Sequence, residues 1–142
     1  MAFLEEVHPQ ALRIAGMLRE RGDKIAVADG ATGGLIGAAL LTVPGALDFY
    51  VGGGIVYSLR GRDILFDLPP HVYKGMRSAT EQYALLQAKA IRDNFEAQWG
   101  IAESGSAGSS KHPLGVASGR SVAAVVGPAN ERVQVVETHS DM

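Results

Sequence analysis

Apolar positions near the N-terminus recur in helical steps: Phe3, Val7, Leu12, Ile14, Ala15 and Leu18. Most lie three or four residues apart, which predicts a helix from Phe3 to Arg21 with one buried face. Gly22 is its natural stop. Lys24 to Ala28 lacks that period and reads as a short buried strand. Leu35 to Leu41 returns to a helical run, and Thr42-Val43-Pro44-Gly45 turns the chain. Phe49 to Ser58 is apolar, aromatic and β-branched, so it reads as a strand. Gly52-Gly53-Gly54 inside it marks a bulge or the close approach of another backbone or ligand. Arg60 to Leu65 predicts a short helix, and Asp67-Leu68-Pro69-Pro70 a turn. The longest helical stretch runs from Thr80 to Trp99, with Tyr83, Leu86, Ala90 and Phe95 toward a core. Ile101 to Glu103 predicts a short strand that opens into a polar loop, Ser104 to Lys111. Strands over Gly115 to Val126 and Arg132 to Glu137 follow, joined as a hairpin by Gly127-Pro128-Ala129-Asn130.

Helices alternate with strands early, and an antiparallel pair comes late. That order predicts a three-layer α/β/α sandwich with a mixed, mostly parallel sheet and a C-terminal antiparallel hairpin. The 142 residues suit a single domain, 1–142, and show no internal repeat. Such a domain usually closes with a further helix over the sheet. The expectation is therefore a closing C-terminal helix missing from the chain, or a cover supplied by a partner chain.

Composition narrows the function classes. A hydrophobic fraction of 46% and a mean hydropathy of +0.08 fit a packed core. Thirteen basic and fifteen acidic residues give a net charge of −2, without a basic block, so no nucleic-acid partner is expected. Cysteine is absent, which excludes disulfides, a thiolate nucleophile and cysteine-ligated zinc. No uncharged apolar run reaches the ~18 residues of a membrane span. The first ten residues lack the pattern of a signal peptide. A cytoplasmic location without membrane attachment is the expectation.

Two segments carry candidate chemistry. Thr32-Gly33-Gly34 follows a strand and precedes a helix, where backbone N–H groups form an anion cradle. It reads equally as a tight turn with Thr32 as the N-cap. Gly105-Ser106-Ala107-Gly108-Ser109-Ser110-Lys111 lacks Walker A spacing. Both loops nevertheless fall at the carboxyl ends of strands, where ligands of α/β sheets collect. Tyr57 ends a strand after three glycines, and Arg62 has the fork to hold a carboxylate or phosphate. On spacing alone they are also an edge aromatic and a solvated charge. His8, His71, His112 and His139 show no metal-ligand spacing, so no metal site is expected.

These residues resemble the C-terminal domain of the CinA family, whose members include nicotinamide mononucleotide deamidases. The family's first motif, roughly Ala-Glu-Ser-Cys/Ser-Thr-Gly-Gly, stands here as Ala28-Asp29-Gly30-Ala31-Thr32-Gly33-Gly34. The second, which begins Pro-Gly-Ala/Ser-Ser and ends Val-x-Tyr-Ser/Thr, stands as Pro44-Gly45-Ala46-Leu47 through Ile55-Val56-Tyr57-Ser58. The third, roughly Gly-x-Ala-Gly-Pro and then Lys-Pro-x-Gly, stands as Gly105-Ser106-Ala107-Gly108-Ser109 and His112-Pro113-Leu114-Gly115.

The resemblance implies a three-layer α/β/α fold. It implies hydrolysis of the nucleotide carboxamide by a serine nucleophile that a lysine activates, without metal or cofactor. A small-molecule nucleotide ligand and a homo-oligomer are the partners expected. Residue by residue it points to Tyr57 and Arg62 as catalytic. It points to Thr32, Gly33, Gly34, Ser58, Gly105, Ser106 and Gly108 as substrate- or phosphate-binding. The chain departs from the pattern at the reactive positions. The two serines are Gly30 and Leu47, the lysine is Arg62, and the glutamate is Asp29. Arginine stays protonated near neutral pH and is a poor base. Two expectations follow: a divergent amidohydrolase, or a nucleotide-binding or oligomeric interaction module without the chemistry.

Overall fold

The computed structural model describes residues 2–106 and 119–137. Helix α1 (Ala2–Arg21) leads into strand β1 (Ile25–Asp29), helix α2 (Leu35–Leu41), strand β2 (Tyr50–Ile55) and helix α3 (Leu59–Phe66). Helix α4 (Glu81–Asn94) and strands β3 (Trp99–Ser106), β4 (Arg120–Val126) and β5 (Glu131–Glu137) complete the order. Single 3-10 turns at Ala46–Asp48 and Pro70–Tyr73 flank β2 and α3. The sheet runs β2-β1-β3-β4-β5. β1 is parallel to β2 and β3, and the last three strands are antiparallel. This is the mixed sheet and late hairpin that the hydrophobic pattern implies.

Alternation along β1 divides the core. Ile25 and Val27 face α1 and α2, where Ala15, Leu18, Leu40, Val43 and Phe49 pack. Ala26 and Ala28 face α3 and α4, with Phe66, Ala84, Ala88, Ile91, Val122 and Ala124. Both faces of β1 are therefore buried, as befits a strand between parallel neighbours. Among the described residues, no helix is long and apolar enough to cross a membrane.

The triple glycine has a packing cause. The register between β1 and β2 slips beside Val51, so Ile25 pairs with Tyr50 while Ala26 pairs with Gly52. A Cβ on Gly53 would collide with the Val27 carbonyl of β1, whereas one on Gly52 would press on the Phe95 ring and one on Gly54 on the Leu65 side chain. The expected close approach of another backbone is that of β1.

Several boundaries differ from the sequence reading. β2 ends at Ile55, short of the Ser58 limit expected, so Tyr57 does not end the strand and Ser58 caps α3 instead. The long helix ends at Asn94, short of the Trp99 limit expected. Glu96 takes a left-handed φ of 52° and Ala97 N–H returns to the Arg92 carbonyl, which stops the helix without glycine or proline. Trp99 instead opens β3, where its indole N–H donates to Asp23 Oδ2 at 2.8 Å and Arg21 stacks on the ring. Ser104, Gly105 and Ser106, expected in a loop, continue β3 because they pair with Val122, Ser121 and Arg120. Residues 107–118, which include the expected polar loop and the start of the next strand, lie outside the described residues.

Two tests follow. Gly53→Ala forces a methyl into a backbone and should cost about 1–3 kcal/mol in urea unfolding. Gly16→Ala, mid-helix with open space around it, should stabilise by about 0.5–1 kcal/mol. Equal effects would refute the β1–β2 contact. Hydrogen bonds from Trp99 and Arg21 hold the Asp23 carboxyl below the ordinary range. Its contribution to stability is present above the unfolded value and is lost as the pH falls through the lower, folded value. Trp99 is the only tryptophan, so acid titration of its fluorescence should have a midpoint below that of a free aspartate. Asp23→Asn should abolish that step.

Candidate functional site

The carboxyl ends of β1 and β3 lie side by side, and each delivers a carboxylate into the interior. Asp29 is 3% exposed and Glu103 2%. Their donors come from the turn between β1 and α2. Glu103 Oε1 accepts from Gly30 N–H and Thr32 N–H, both at 3.0 Å. Glu103 Oε2 accepts from the Ser121 hydroxyl of β4, also at 3.0 Å. Asp29 accepts from Ile36 N–H at 3.0 Å and Gly37 N–H at 3.1 Å in the first turn of α2. Thr32 Oγ1 lies 2.6 Å from Asp29 Oδ1 and 2.9 Å from Glu103 Oε1, so one hydroxyl proton bridges two acceptors. Burial and the charge of Asp29 together push the Tyr50 phenol above its ordinary range.

This geometry revises the turn. Thr32 is not the N-cap of α2. Gly34 holds that position without a side-chain cap, and Asp29 satisfies the helix amides from the strand behind it. Gly33 and Gly34 carry φ values of 67° and 98°, which lets the chain reverse so tightly. The N–H groups of this turn are used inside the protein: Gly30 and Thr32 donate to Glu103, Gly33 to the Gly30 carbonyl, and Ile36 and Gly37 to Asp29.

Gly30 is fixed by the same neighbour. A Cβ there would collide with the Glu103 carbonyl and come within 3.3 Å of its carboxylate. Gly105 sits under that carboxylate, where a Cβ would lie 2.6 Å from Oε2. A groove of about 550 Å³ opens beside it between α1, α2 and the sheet. Val7, Ile14, Leu35 and Ile101 form apolar walls, and Thr32, Glu103, Arg120 and Ser121 line its polar end.

The other expected site residues lie in the link after β2 and on α3. Tyr57 is 91% exposed. Ser58 caps α3, its hydroxyl accepting from Gly61 N–H at 3.0 Å. Arg62 is drawn onto aromatic rings: its guanidinium lies 3.7 Å above Tyr73, and Nη1 donates to the Tyr83 hydroxyl at 3.3 Å. Asp63 pairs with it at 2.9 Å. Burial opposes its charge, but the hydrogen bonds to Tyr83 and Asp63 outweigh this and raise its pKa above the ordinary range. Burial also pushes up the Tyr73 phenol, against the pull of Arg62. Thus Thr32 and Gly105 meet around Glu103, while Ser58 and Arg62 belong to α3 and its contacts. Ser106 pairs with Arg120 through its backbone, and Gly108 lies outside the described residues.

Sequence reading missed the two residues at the centre, Glu103 and Ser121. Glu103 had one available signal, a charged residue inside an otherwise apolar strand stretch. Ser121 had none. Among the described residues, no cluster with metal-binding composition occurs.

Removing Glu103 tests this centre. Glu103→Gln keeps an acceptor for both amides and should cost about 1 kcal/mol. Glu103→Val strands Gly30 N–H and Thr32 N–H, and should cost on the order of 3 kcal/mol in urea unfolding. A valine variant as stable as the parent would mean these hydrogen bonds do not form.

Comparison with known proteins places the chain. The pattern that defines the CinA C-terminal domain matches residues 8–142. A CinA-like protein of Synechocystis sp. is 35% identical over 95 residues, which cover 67% of this chain and 23% of that protein. One from Prochlorococcus marinus is 32% identical over 122 residues, covering 85% and 29%. The chain thus spans less than a third of these relatives. Among solved structures, the competence-damaged protein (CinA) superfamily protein from Enterobacter cloacae superposes with a TM-score of 0.85 at 27% identity, over 95% of this chain and 80% of that one. A competence or damage-inducible protein from Enterobacter asburiae also reaches 0.85, at 25% identity, over 95% and 85%. With its fold, its motifs and these matches in agreement, the chain belongs to the CinA family, in the region of that family's C-terminal domain.

Proposed function

We propose that this chain is a nicotinamide-nucleotide-binding domain of the CinA type that holds its ligand without hydrolysing the carboxamide. One observation carries the reading: Glu103 Oε1 accepts from Gly30 N–H and Thr32 N–H. Amide hydrolysis needs a nucleophile, a base and N–H donors for the tetrahedral oxyanion. Gly30 offers no nucleophile, and its N–H group is spent on a carboxylate whose charge opposes an oxyanion. Arg62 is a poor base, and its hydrogen bonds to Tyr83 and Asp63 favour its charged form further.

The remaining groups suit a pyridinium nucleotide. The exposed face of Tyr57 attracts a cationic ring, and Ser58 stands next to it. Thr32, Gly33, Gly34, Gly105, Ser106 and Gly108 are the positions that the family resemblance assigns to the rest of the ligand.

A second reading has one observation behind it. The Ser121 hydroxyl donates to the buried Glu103 carboxylate at 3.0 Å beside the groove, as a substitute nucleophile and base would.

Calorimetry with nicotinamide mononucleotide, run beside an ammonia assay, separates these readings. The expected result is saturable binding, weakened several-fold by Tyr57→Ala, with ammonia at the blank level. Ammonia release would overturn the loss of hydrolysis, and its disappearance in Ser121→Ala would establish the substitute nucleophile. No binding of the mononucleotide would overturn the nucleotide reading altogether.

A further inference from the structure

Helix α1 carries an apolar line beyond the residues that reach the core. Phe3, Val7 and Ile14 fall within about 40° of one another around the helix and spread over about 16 Å of its axis. They form one wall of the groove of about 550 Å³, and Leu35 of α2 and Ile101 of β3 stand on its other sides. None of the five is fully buried, and Phe3 and Leu35 are 44% and 37% exposed. The volume lies within the roughly 300–1,000 Å³ of small-molecule pockets, which combine apolar walls with a few placed polar groups.

The polar end is chemically one-sided. Thr32 and Ser121 line it, and each hydroxyl gives its proton to a carboxylate: Thr32 to Asp29 and Glu103, Ser121 to Glu103. A hydroxyl that has spent its proton has lone pairs alone left to offer. Glu103 adds a further acceptor. Three donors gather on its Oε1, whereas Ser121 fills one of the two sites on Oε2. The charge has the same sense. Among the described residues, no lysine or arginine pairs with buried Glu103 or Asp29. Hydrogen bonds lower the cost of burying these carboxylates but leave their charge, and apolar walls screen it little. Arg120 also lines this end, but Glu137 answers its charge and its Nε–H donates to the Ala79 carbonyl at 2.7 Å.

We propose that the groove binds an amphiphilic amine, its ammonium group among Glu103 Oε2, Ser121 Oγ and Thr32 Oγ1 and its apolar body along α1 and α2. An ammonium has three donors and no acceptor, the complement of this lining. A neutral alcohol satisfies the oxygens without meeting the charge, and a carboxylate sets acceptors against acceptors. The proposal is independent of the nucleotide reading. Of the positions assigned to the nucleotide, Thr32 alone lines the groove, and the measurements use no nucleotide.

Octylamine, 1-octanol and octanoate share an apolar body and differ in the head. Calorimetry near neutral pH should show octylammonium binding saturably at one site, octanol at least tenfold more weakly, and octanoate not measurably. Glu103→Gln keeps an acceptor for the two amides and removes the charge, so it should bring octylammonium down to the affinity of octanol. Val7→Trp, which fills the groove, should weaken both at least tenfold. Leu12→Ala, on α1 outside the lining, should change neither. Methyl resonances locate the ligand on the parent protein without any variant: octylammonium should shift those of Val7, Ile14, Leu35 and Ile101 and leave Ile64 of α3 in place. Octanol or octanoate binding as tightly as the amine, a Glu103→Gln variant that keeps the preference for the amine, methyl shifts elsewhere, or no saturable binding would each overturn the proposal.

Discussion

A carboxylate inside a protein costs several kcal/mol unless hydrogen-bond donors or a cation surround it. Glu103 and Asp29 impose that requirement where β1 and β3 end. Among the described residues, neither has an ion-pair partner; backbone amides and hydroxyls supply the compensation. Charge-assisted bonds of this kind contribute about 1.5–3 kcal/mol each, so a few of them suffice. The consequence is geometric. The turn from Gly30 to Gly34 must present its amides inward, α2 must start where Asp29 reaches it, and β4 must bring Ser121 beside β3. Three elements are thereby tied to two side chains.

The element order was readable from hydrophobic periodicity because most elements carry an apolar face or run. Leu18 marks one core, while on α4 the expected Tyr83 and Ala90 are buried but Leu86 and Phe95 are only partly so, the centre of that face being Ala84, Ala88 and Ile91. The end of α4 was not readable. Its stop is a left-handed Glu96 enforced by the return of the chain to Trp99, a tertiary demand that no local residue signals. The extension of β3 through Ser104 to Ser106 was hidden for a related reason. Small polar residues favour loops locally, and only pairing with β4 keeps them extended.

The candidate site was half legible. Glycine and threonine spacing pointed to a turn that gathers N–H groups; the turn is there, and its amides are taken by acceptors within the protein. The acceptor for two of them comes from a strand seventy-odd residues away in sequence, at a distance no motif spans. Likewise, the sequence shows that Arg62 has a fork able to hold an anion, but its contacts with the tilted pair Tyr73 and Tyr83 depend on how the 3-10 turn at Pro70–Tyr73 meets α4. Local spacing reports which groups are available. Packing decides what they touch.

The contact between Gly30 and the Glu103 carbonyl also bears on which substitutions the turn admits. With no Cβ at position 30, β3 lies against the turn and the Glu103 carboxylate takes the amides of Gly30 and Thr32. Any side chain at 30 meets a main-chain oxygen, which no single replacement at 103 removes. Position 30 is thus closed to one-step replacement: the limit on it is set by the main chain of β3, which substitution at a neighbouring side chain cannot move out of the way.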